Sequence, residues 1–244
     1  MGKGYTQPQV NIFTAAGSRH GHDSAENQDA ALFCHDERYS VICLADGVSA
    51  CIQAKQGAEN ACRASAEFML AHAQRLFKMT GQDISYTLTD RVLYSLRELS
   101  AKSGVSCEEY SSTLACVLLD REDDNILYFS VGDSLITAAK NGDLYIVAMP
   151  SDSREGCCVT TTVDAASAAK AGVIDAQSIS SVMLCSDGAW RIMYRRSRLL
   201  PAFGKLLQKG DCAALGKALL SQERADDCTV IIMDKTNLSG RNTQ

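Results

Sequence analysis

Residues 39–50, YSVICLADGVSA, decide the fold, because an apolar run there ends at an Asp-Gly pair. The run covers the seven residues Tyr39–Ala45, and its length and composition predict a strand that is buried in the interior. Asp46 and Gly47 then form a turn, since both residue types are common where the chain reverses. We therefore expect a carboxylate at the end of a buried strand.

Four other segments also place an Asp beside an apolar run. They are NQDA (27–30), SVGDS (130–134), CSDG (185–188) and DDCTVII (226–232), which contribute Asp29, Asp133, Asp187 and Asp226. For any one segment alone, an ordinary turn is the better explanation. Together the five segments favour carboxylates gathered at the edge of a sheet, where oxygen ligands could bind Mg²⁺ or Mn²⁺.

Hydrophobic periodicity predicts the secondary structure around these segments. The expected strands are 10–16, 30–34, 39–45, 112–119, 126–131, 135–140, 144–149, 158–163, 181–185 and 229–233, and the expected helices are 51 to about 78, 84–103, 165–171, 195–208 and 211–221. The strands of residues 112–149 are expected to form consecutive hairpins of an antiparallel sheet, most clearly at Asn141-Gly142, which accepts the positive φ of a tight turn.

This order predicts an α+β fold in which antiparallel sheets are covered by helices. A single domain is expected over residues 1–244, with a core at about 10–234 and a loose C-terminal tail. Asp and Glu total 29 against 24 Lys and Arg, a net charge of -5, so no broad basic surface is available for nucleic acid. The sequence shows neither a membrane span nor a signal peptide, and we expect a cytoplasmic protein.

Six segments, in this order, resemble the motifs of the metal-dependent Ser/Thr protein phosphatases of type 2C, the PPM family. They are NQDA (27–30), LADGVSA (44–50), SST (111–113), SVGDS (130–134), CSDGAW (185–190) and DDCTVII (226–232). The stretch GSRHGHDSAENQD (17–29) looks like a bacterial branch of the family with a longer loop. The resemblance implies a four-layer α-β-β-α sandwich that holds a dinuclear Mg²⁺ or Mn²⁺ centre at one edge.

By position, the resemblance also implies the metal ligands. Asp46 would bridge the two ions, and Gly47 would offer its main-chain carbonyl oxygen to one of them. Asp187 and Asp226 would complete the shell of the other ion. Asp133, together with Asp187, would hold a third and weaker ion. The expected cofactors are therefore two Mn²⁺ or Mg²⁺ ions, with this third ion in addition.

The resemblance further implies which residues act on the substrate. Asp29 would orient the attacking water. The usual phosphate-binding arginine lies five residues before this Asp, but Ser24 stands at that position. Arg19 and His20 are both candidates for the phosphate contact, since Arg offers a bidentate fork and His a hydrogen bond or a charge. The sequence does not choose between them.

The expected protein is a monomeric, cytoplasmic bacterial phosphatase that uses a metal-activated water to dephosphorylate Ser and Thr in proteins, and that opposes a Ser/Thr kinase. Gln28 stands where many relatives have Glu, Asp227 where many have Asn, and Ser24 where they have Arg. Two alternatives stay open, the first because of Gln28 and Ser24 and the second because such a metal centre would serve small esters equally well. One is a pseudophosphatase that binds phosphoproteins, and the other is a hydrolase of small phosphate esters.

Other features have simpler explanations. His20, His22 and Asp23 have part of the spacing of a zinc loop but lack its further His, so a polar loop is expected. Trp190 is expected to pack beneath the site rather than bind substrate. The segment 150–172 lies where relatives carry a flap, and we expect it to influence the choice of substrate.

Overall fold

Two five-stranded antiparallel sheets lie face to face in the computed structural model of the protein, which describes residues 7–17, 26–141, 143–151, 158–195, 198–208, 212–222 and 226–235. In spatial order, the β3 sheet consists of β2 (Ala30–His35), β3 (Tyr39–Ala45), β4 (Leu114–Asp120), β5 (Asn125–Val131) and β8 (Lys170–Asp175). The β9 sheet consists of β1 (Gln9–Ala15), β12 (Cys228–Asp234), β9 (Ile179–Cys185), β6 (Leu135–Lys140) and β7 (Asp143–Ala148).

Helices cover the outer face of each sheet. The β3 sheet is covered by α1 (Ala54–Leu76), α2 (Gly81–Ser103) and α3 (Ala165–Ala168), beside a 3-10 turn at Cys107–Tyr110. The β9 sheet is covered by α4 (Asp187–Met193), α5 (Pro201–Gln208) and α6 (Cys212–Leu220), and a short hairpin of β10 (Tyr194–Arg195) and β11 (Arg198–Leu199) precedes α5. The predicted α-β-β-α sandwich is confirmed. None of the described helices has the length and apolar character needed to cross a bilayer.

Hydrophobic cores separate the four layers. Along β3, Ile42 and Leu44 pack between the two sheets, whereas Val41 and Cys43 pack toward the helices that cover the β3 sheet. All four side chains are fully buried. Successive side chains of a strand point to opposite faces, so a strand in the middle of such a sandwich requires the uninterrupted apolar run that the sequence has there. A third core lies between the β9 sheet and its helices.

Strand pairing brings the Asp-containing segments to one edge of the sandwich. In the β3 sheet, Ala30 at the start of β2 pairs with Ala45 at the end of β3. In the β9 sheet, Cys228 at the start of β12 pairs with Ala15 at the end of β1, and β9 ends where β6 begins. Antiparallel neighbours always place the start of one strand beside the end of the next. Apart from the end of β1, each of these strand ends lies in or beside one of the predicted segments.

The predicted hairpins are confirmed for two pairs of strands, but the step between the pairs was predicted wrongly. β4 pairs with β5, and β6 pairs with β7 across a two-residue turn in which Asn141 has a φ of 53°. β5 and β6, however, belong to different sheets. Gly132 lies at this crossing with a φ of 106°, and a Cβ there would lie 2.6 Å from the Cβ of Thr113. Glycine is therefore required at the crossing.

Three shorter elements were also predicted wrongly. Residues 158–163 form turns instead of a strand, and the N–H of Thr160 donates to the carbonyl oxygen of Ser112. The helix expected at 165–171 ends at Ala168, and the unpredicted strand β8 follows it. The helix expected from residue 195 begins at Pro201, because proline lacks the N–H that a helix interior needs and fits the first turn.

Candidate metal centre

Two acidic residues reach the edge of the sandwich from the β3 sheet. Asp29 immediately precedes β2, and Asp46 immediately follows β3. Because Ala30 pairs with Ala45, the two Asp residues lie on adjacent strands just beyond their last paired positions. Asp29 is buried, and its charge acts on Asp46. The carboxylates that the first two motifs contribute are therefore neighbours.

Three further carboxylates come from other elements at the same edge. Asp187 is the first residue of α4 and follows β9, Asp226 lies just before β12, and Asp133 lies in the connection between β5 and β6. The charges of all three act on Asp46, and Asp187 is also repelled by Asp226. The structure thus brings all five predicted carboxylates into one region.

Main-chain contacts fix Asp46 and Gly47 against the segment before β4. The N–H of Asp46 donates to the Oγ1 of Thr113 at 2.9 Å, and its carbonyl oxygen accepts from the N–H of Thr113 at 2.8 Å. Gly47 faces Ser112 across an isolated bridge. A Cβ on Gly47 would lie 2.9 Å from the carbonyl oxygen of Ala54. Among the described residues, the carbonyl oxygen of Gly47 accepts no hydrogen bond.

A close contact between α4 and the start of β12 fixes two of the carboxylates relative to each other. The Oγ of Ser186 accepts from the N–H of Thr229 at 2.9 Å, and the N–H of Ser186 donates to the carbonyl oxygen of Thr229 at 3.0 Å. Gly188 packs so tightly that an added Cβ would lie 2.0 Å from the carbonyl oxygen of Asp227. The Gly of this motif is therefore needed for packing.

Asp227 ties together the two ends of the segment between β1 and β2. Its Oδ1 accepts from the N–H of Gly17 at 2.9 Å, and its Oδ2 accepts from the N–H of Gln28 at 2.6 Å. Asp227 is 3% exposed. An Asn, which has one side-chain oxygen, cannot accept both bonds. The Asp at position 227, where many relatives have Asn, therefore has a structural role.

Lys55, in the first turn of α1, holds the segment that carries Asp29 from the helix side. Its Nζ donates to the carbonyl oxygens of Asn27 at 2.8 Å and of Asp29 at 2.7 Å. Asn27 in turn accepts from the N–H of Asp29 at 2.7 Å and donates to the carbonyl oxygen of Ala15 at 3.2 Å. No sequence pattern indicated Lys55, because it lies in a run typical of a core helix.

Burial and mutual repulsion raise the pKa values of three carboxyl groups. Burial raises the pKa of Asp29 to about 6, and the nearby hydroxyl groups of Thr229 and Ser186 partly offset this effect. Burial, followed by the charges of the neighbouring carboxylates, raises the pKa of Asp46 well above its usual range. Burial also raises the pKa of Asp187, although the neighbouring arginine opposes the rise. A cation at the site would favour the ionised forms.

The chemistry of this cluster fits a hard divalent cation. Both carboxylate oxygens of Asp29, the Oδ1 of Asp187 and the Oε1 of Gln28 are buried and have no hydrogen bond of normal geometry in the described part of the chain. Such oxygens are costly to leave unpaired, and Mg²⁺ and Mn²⁺ prefer oxygen ligands. No three His, Cys, Asp or Glu side chains in the described ranges are grouped to hold an ion by themselves. Main-chain and water oxygens would therefore have to complete the coordination.

Arg191 is a cationic residue at the site that was not predicted. Its Nη2 lies 3.2 Å from the Oδ2 of Asp187 and 3.7 Å from the Oδ2 of Asp133. Residues four apart share one face of a helix, so this pair could have been found once a helix was assigned to begin at Asp187. The adjacent Trp190 packs against the core beneath the site, as predicted, and its Nε1–H donates to the carbonyl oxygen of Asp133 at 2.8 Å.

The candidates for the phosphate contact, Arg19 and His20, lie outside the described residues, as do His22 and Asp23 of the alternative zinc site. The segment 150–172 is described in part. Its residues 158–163 lie beside the motif SST, where the hydroxyl oxygens of Ser111 and Thr161 are 2.5 Å apart. This end of the segment is therefore anchored to the chain next to Gly47, which itself faces Ser112.

Comparisons with known proteins bear on the family and the fold. A family model described as protein phosphatase 2C matches residues 16–221, most of the chain. No curated protein sequence matches the chain.

Solved structures of bacterial phosphatases are similar over almost the whole chain. The serine/threonine phosphatase Stp1 from Staphylococcus aureus has a TM-score of 0.70 at 13% identity, covering 96% of this chain and 97% of that one. A bacterial serine phosphatase has a TM-score of 0.69 at 12% identity, with coverages of 93% and 97%. RsbX in complex with magnesium has a TM-score of 0.60 at 13% identity, with coverages of 93% and 95%. At such identities the likeness shows a shared fold.

Proposed function

Because the chain belongs to the protein phosphatase 2C family, we propose that it removes phosphate from serine and threonine residues of proteins at a centre of two Mn²⁺ or Mg²⁺ ions. The observation that carries this proposal is the convergence of five carboxylates from two sheets on one edge of the sandwich. Buried like charges with unpaired oxygens need cationic neighbours. The similarity to RsbX, whose structure is a complex with magnesium, supports the choice of metal.

Four residues supply the metal ligands. Asp46 would be a ligand of the ions, since it is the carboxylate on which the charges of the others act. Gly47 would offer its carbonyl oxygen, and Asp187 and Asp226 would be the further carboxylate ligands. Two divalent cations supply a water of lowered pKa and neutralise the phosphoryl oxygens. The Thr113 contacts hold Asp46 in place, and the contact of α4 with β12 holds the other two carboxylates.

Asp29 orients the attacking water by accepting a hydrogen bond from it. Both of its carboxylate oxygens are buried and, apart from the nearby hydroxyl groups of Thr229 and Ser186 and the carboxyl group of Asp46, have no partner among the described residues. The two hydrogen bonds from the Nζ of Lys55 to the carbonyl oxygens of Asn27 and Asp29 keep this part of the main chain fixed. The ionised carboxylate is the stronger acceptor, and cationic neighbours favour that form.

Arg19 or His20 binds the phosphate group of the substrate. Both residues lie in the segment between Gly17 and Gln28, and the main-chain N–H groups of those two residues donate hydrogen bonds to Asp227. The partners are phosphorylated proteins and an opposing Ser/Thr kinase, and the protein works as a monomer in the cytoplasm. A net charge of -5 favours basic segments around the phosphorylated residue.

The test is to compare kcat/KM for a phosphothreonine peptide with kcat/KM for p-nitrophenyl phosphate, in Mn²⁺ and under identical conditions. We expect the peptide to be preferred, and a peptide with basic flanking residues to be better than one with acidic flanking residues. A preference for the small ester would instead support the small phosphate-ester hydrolase. Binding of the peptide without turnover would support the pseudophosphatase.

A further inference from the structure

The carboxylates expected to hold the third and weaker ion are already linked by a positive charge of the protein itself. The Nη2 of Arg191 lies 3.2 Å from the Oδ2 of Asp187 and 3.7 Å from the Oδ2 of Asp133. Both carboxylates are largely buried, whereas the arginine side chain is 53% exposed. The guanidinium therefore reaches from solvent into the space between the two acids.

Two features hold the guanidinium in this position. Arg191 lies one turn after Asp187 on α4, and residues at this spacing face the same side of a helix. The Cζ of Arg191 also lies 5.5 Å from the ring centroid of Trp190, within the range of a cation-π interaction. The indole N–H of Trp190 donates to the carbonyl oxygen of Asp133, so consecutive residues of α4 bind the main chain and the side chain of Asp133.

We propose that the guanidinium of Arg191 takes the place of the third metal ion, so that the centre is complete with two ions. A divalent cation between Asp133 and Asp187 would be repelled by the guanidinium and would have to displace it from Asp187. The charge of the arginine side chain is also part of the protein, so it does not depend on the metal concentration. This inference rests on the proposed dinuclear centre.

The test is to count the Mn²⁺ ions bound per chain by equilibrium dialysis, in wild type, Arg191→Gln and Arg191→Lys. Wild type and Arg191→Lys should bind about two ions, whereas Arg191→Gln should bind about one more ion with weaker affinity. Asp133→Asn should leave the wild-type count unchanged. Arg63→Gln is a matched control, because Arg63 also forms an exposed i,i+4 ion pair, with Glu67.

Thermal unfolding in EDTA gives a readout that does not depend on activity. Arg191→Gln should lower the Tm of the metal-free protein, since Asp133 and Asp187 lose their counter-charge, and Mn²⁺ should raise the Tm of this variant by more than it raises that of wild type. Arg63→Gln should show neither effect.

Four results would overturn the inference. If wild type binds three ions, or if Asp133→Asn lowers its count, the guanidinium does not replace an ion, and the proposed phosphatase stands. If Arg191→Gln keeps two ions but raises the KM for the phosphopeptide, the guanidinium acts on the substrate instead. If wild type binds no Mn²⁺, the proposed metal centre fails together with this inference.

Discussion

Asp227 constrains the site through hydrogen bonds, although we do not propose it as a metal ligand. Both of its oxygens accept main-chain N–H groups, one from each end of the segment between β1 and β2. A hydrogen bond to a charged group is worth more than one between neutral groups. We therefore regard Asp227 as the residue that places the start and the end of the segment that carries Arg19 and His20.

Replacing this residue, as Asp227→Asn, should lower the free energy of unfolding by about 1–3 kcal/mol, because the amide NH₂ would face a main-chain N–H and leave it unpaired. The KM for a phosphopeptide should rise as well. Urea unfolding and steady-state kinetics measure the two effects. Asp164→Asn is the control, since the Asp164 side chain is exposed and caps no helix. Unchanged stability of Asp227→Asn would show that the two hydrogen bonds of Asp227 do not hold the ends of this segment.

The raised pKa of Asp29 predicts how the stability of the metal-free protein depends on pH. Its pKa is raised to about 6 in the folded chain from an ordinary value of 3.8. Between these values the folded chain binds more protons than the unfolded chain, so stability falls as the pH rises and stays lower above the folded pKa.

The variant Asp29→Asn removes this penalty, because a neutral amide cannot ionise. In EDTA at about pH 8 it should be more stable than wild type by about 2–3 kcal/mol, and the difference should shrink toward about pH 4. Urea unfolding at the two pH values measures this, with the exposed Asp90→Asn as control. A loss of stability at about pH 8 would show that Asp29 is not a buried, uncompensated charge.

The positions of the five carboxylates could be predicted because each lies beside a strand or turn that the local sequence encodes. Lys55 and the clamp of Asp227 could not, since each depends on a contact between elements far apart in the chain, whereas the pair of Arg191 and Asp187 follows once a helix is assigned to begin at Asp187. Lys55 binds carbonyl oxygens, and any residue type provides a carbonyl oxygen. Such contacts leave no pattern in the residues that accept them.

The element whose placement matters most to the site is α4, which begins at Asp187 and packs against the start of β12. Gly188 allows this approach, because an added Cβ would lie 2.0 Å from the carbonyl oxygen of Asp227. Backbone atoms cannot move aside as the tip of a side chain can. The separation of Asp187 and Asp226 is therefore set by a glycine that ligates nothing.

In Gly188→Ala the start of β12 should be pushed away from α4, which should cost about 1–3 kcal/mol of stability and weaken Mn²⁺ binding. Gly204→Ala is the matched control, because a Cβ on this helical glycine of α5 would meet only the side chain of Leu199, at 3.4 Å. It should be neutral or stabilising by about 0.5–1 kcal/mol. Chemical unfolding and a Mn²⁺ titration test both, and equal behaviour of the two variants would contradict the role given to Gly188.

Elements with a continuous apolar pattern were predicted well, and those without one were not. β3 and the long helices α1 and α2 match their predicted positions closely, because their apolar periodicity is continuous. β8 was missed because this edge strand has no fully buried residue and therefore little apolar pattern. The crossing from β5 to β6 was also missed, since a run of short strands separated by turns looks the same whether the strands share one sheet or alternate between two.

Across the whole molecule, the site exists only when the two sheets pack together. The β3 sheet contributes Asp29 and Asp46, and the β9 sheet and its helix contribute Asp187 and Asp226. The buried core between the sheets thus determines the distances between carboxylates that are far apart in sequence. A metal ion that binds all of them should in turn stabilise the packing of the sheets.

The central claim is that carboxylates from both sheets form one catalytic metal centre. The most direct test is phosphate release from a phosphothreonine peptide by the purified protein, with Mn²⁺, with Mg²⁺ and after EDTA, beside Asp46→Asn from the β3 sheet and Asp226→Asn from the β9 sheet. We predict metal-dependent release that EDTA abolishes and that either substitution reduces by at least about 100-fold. Release that persists in EDTA, or folded wild-type protein that releases no phosphate with either metal, would contradict the claim.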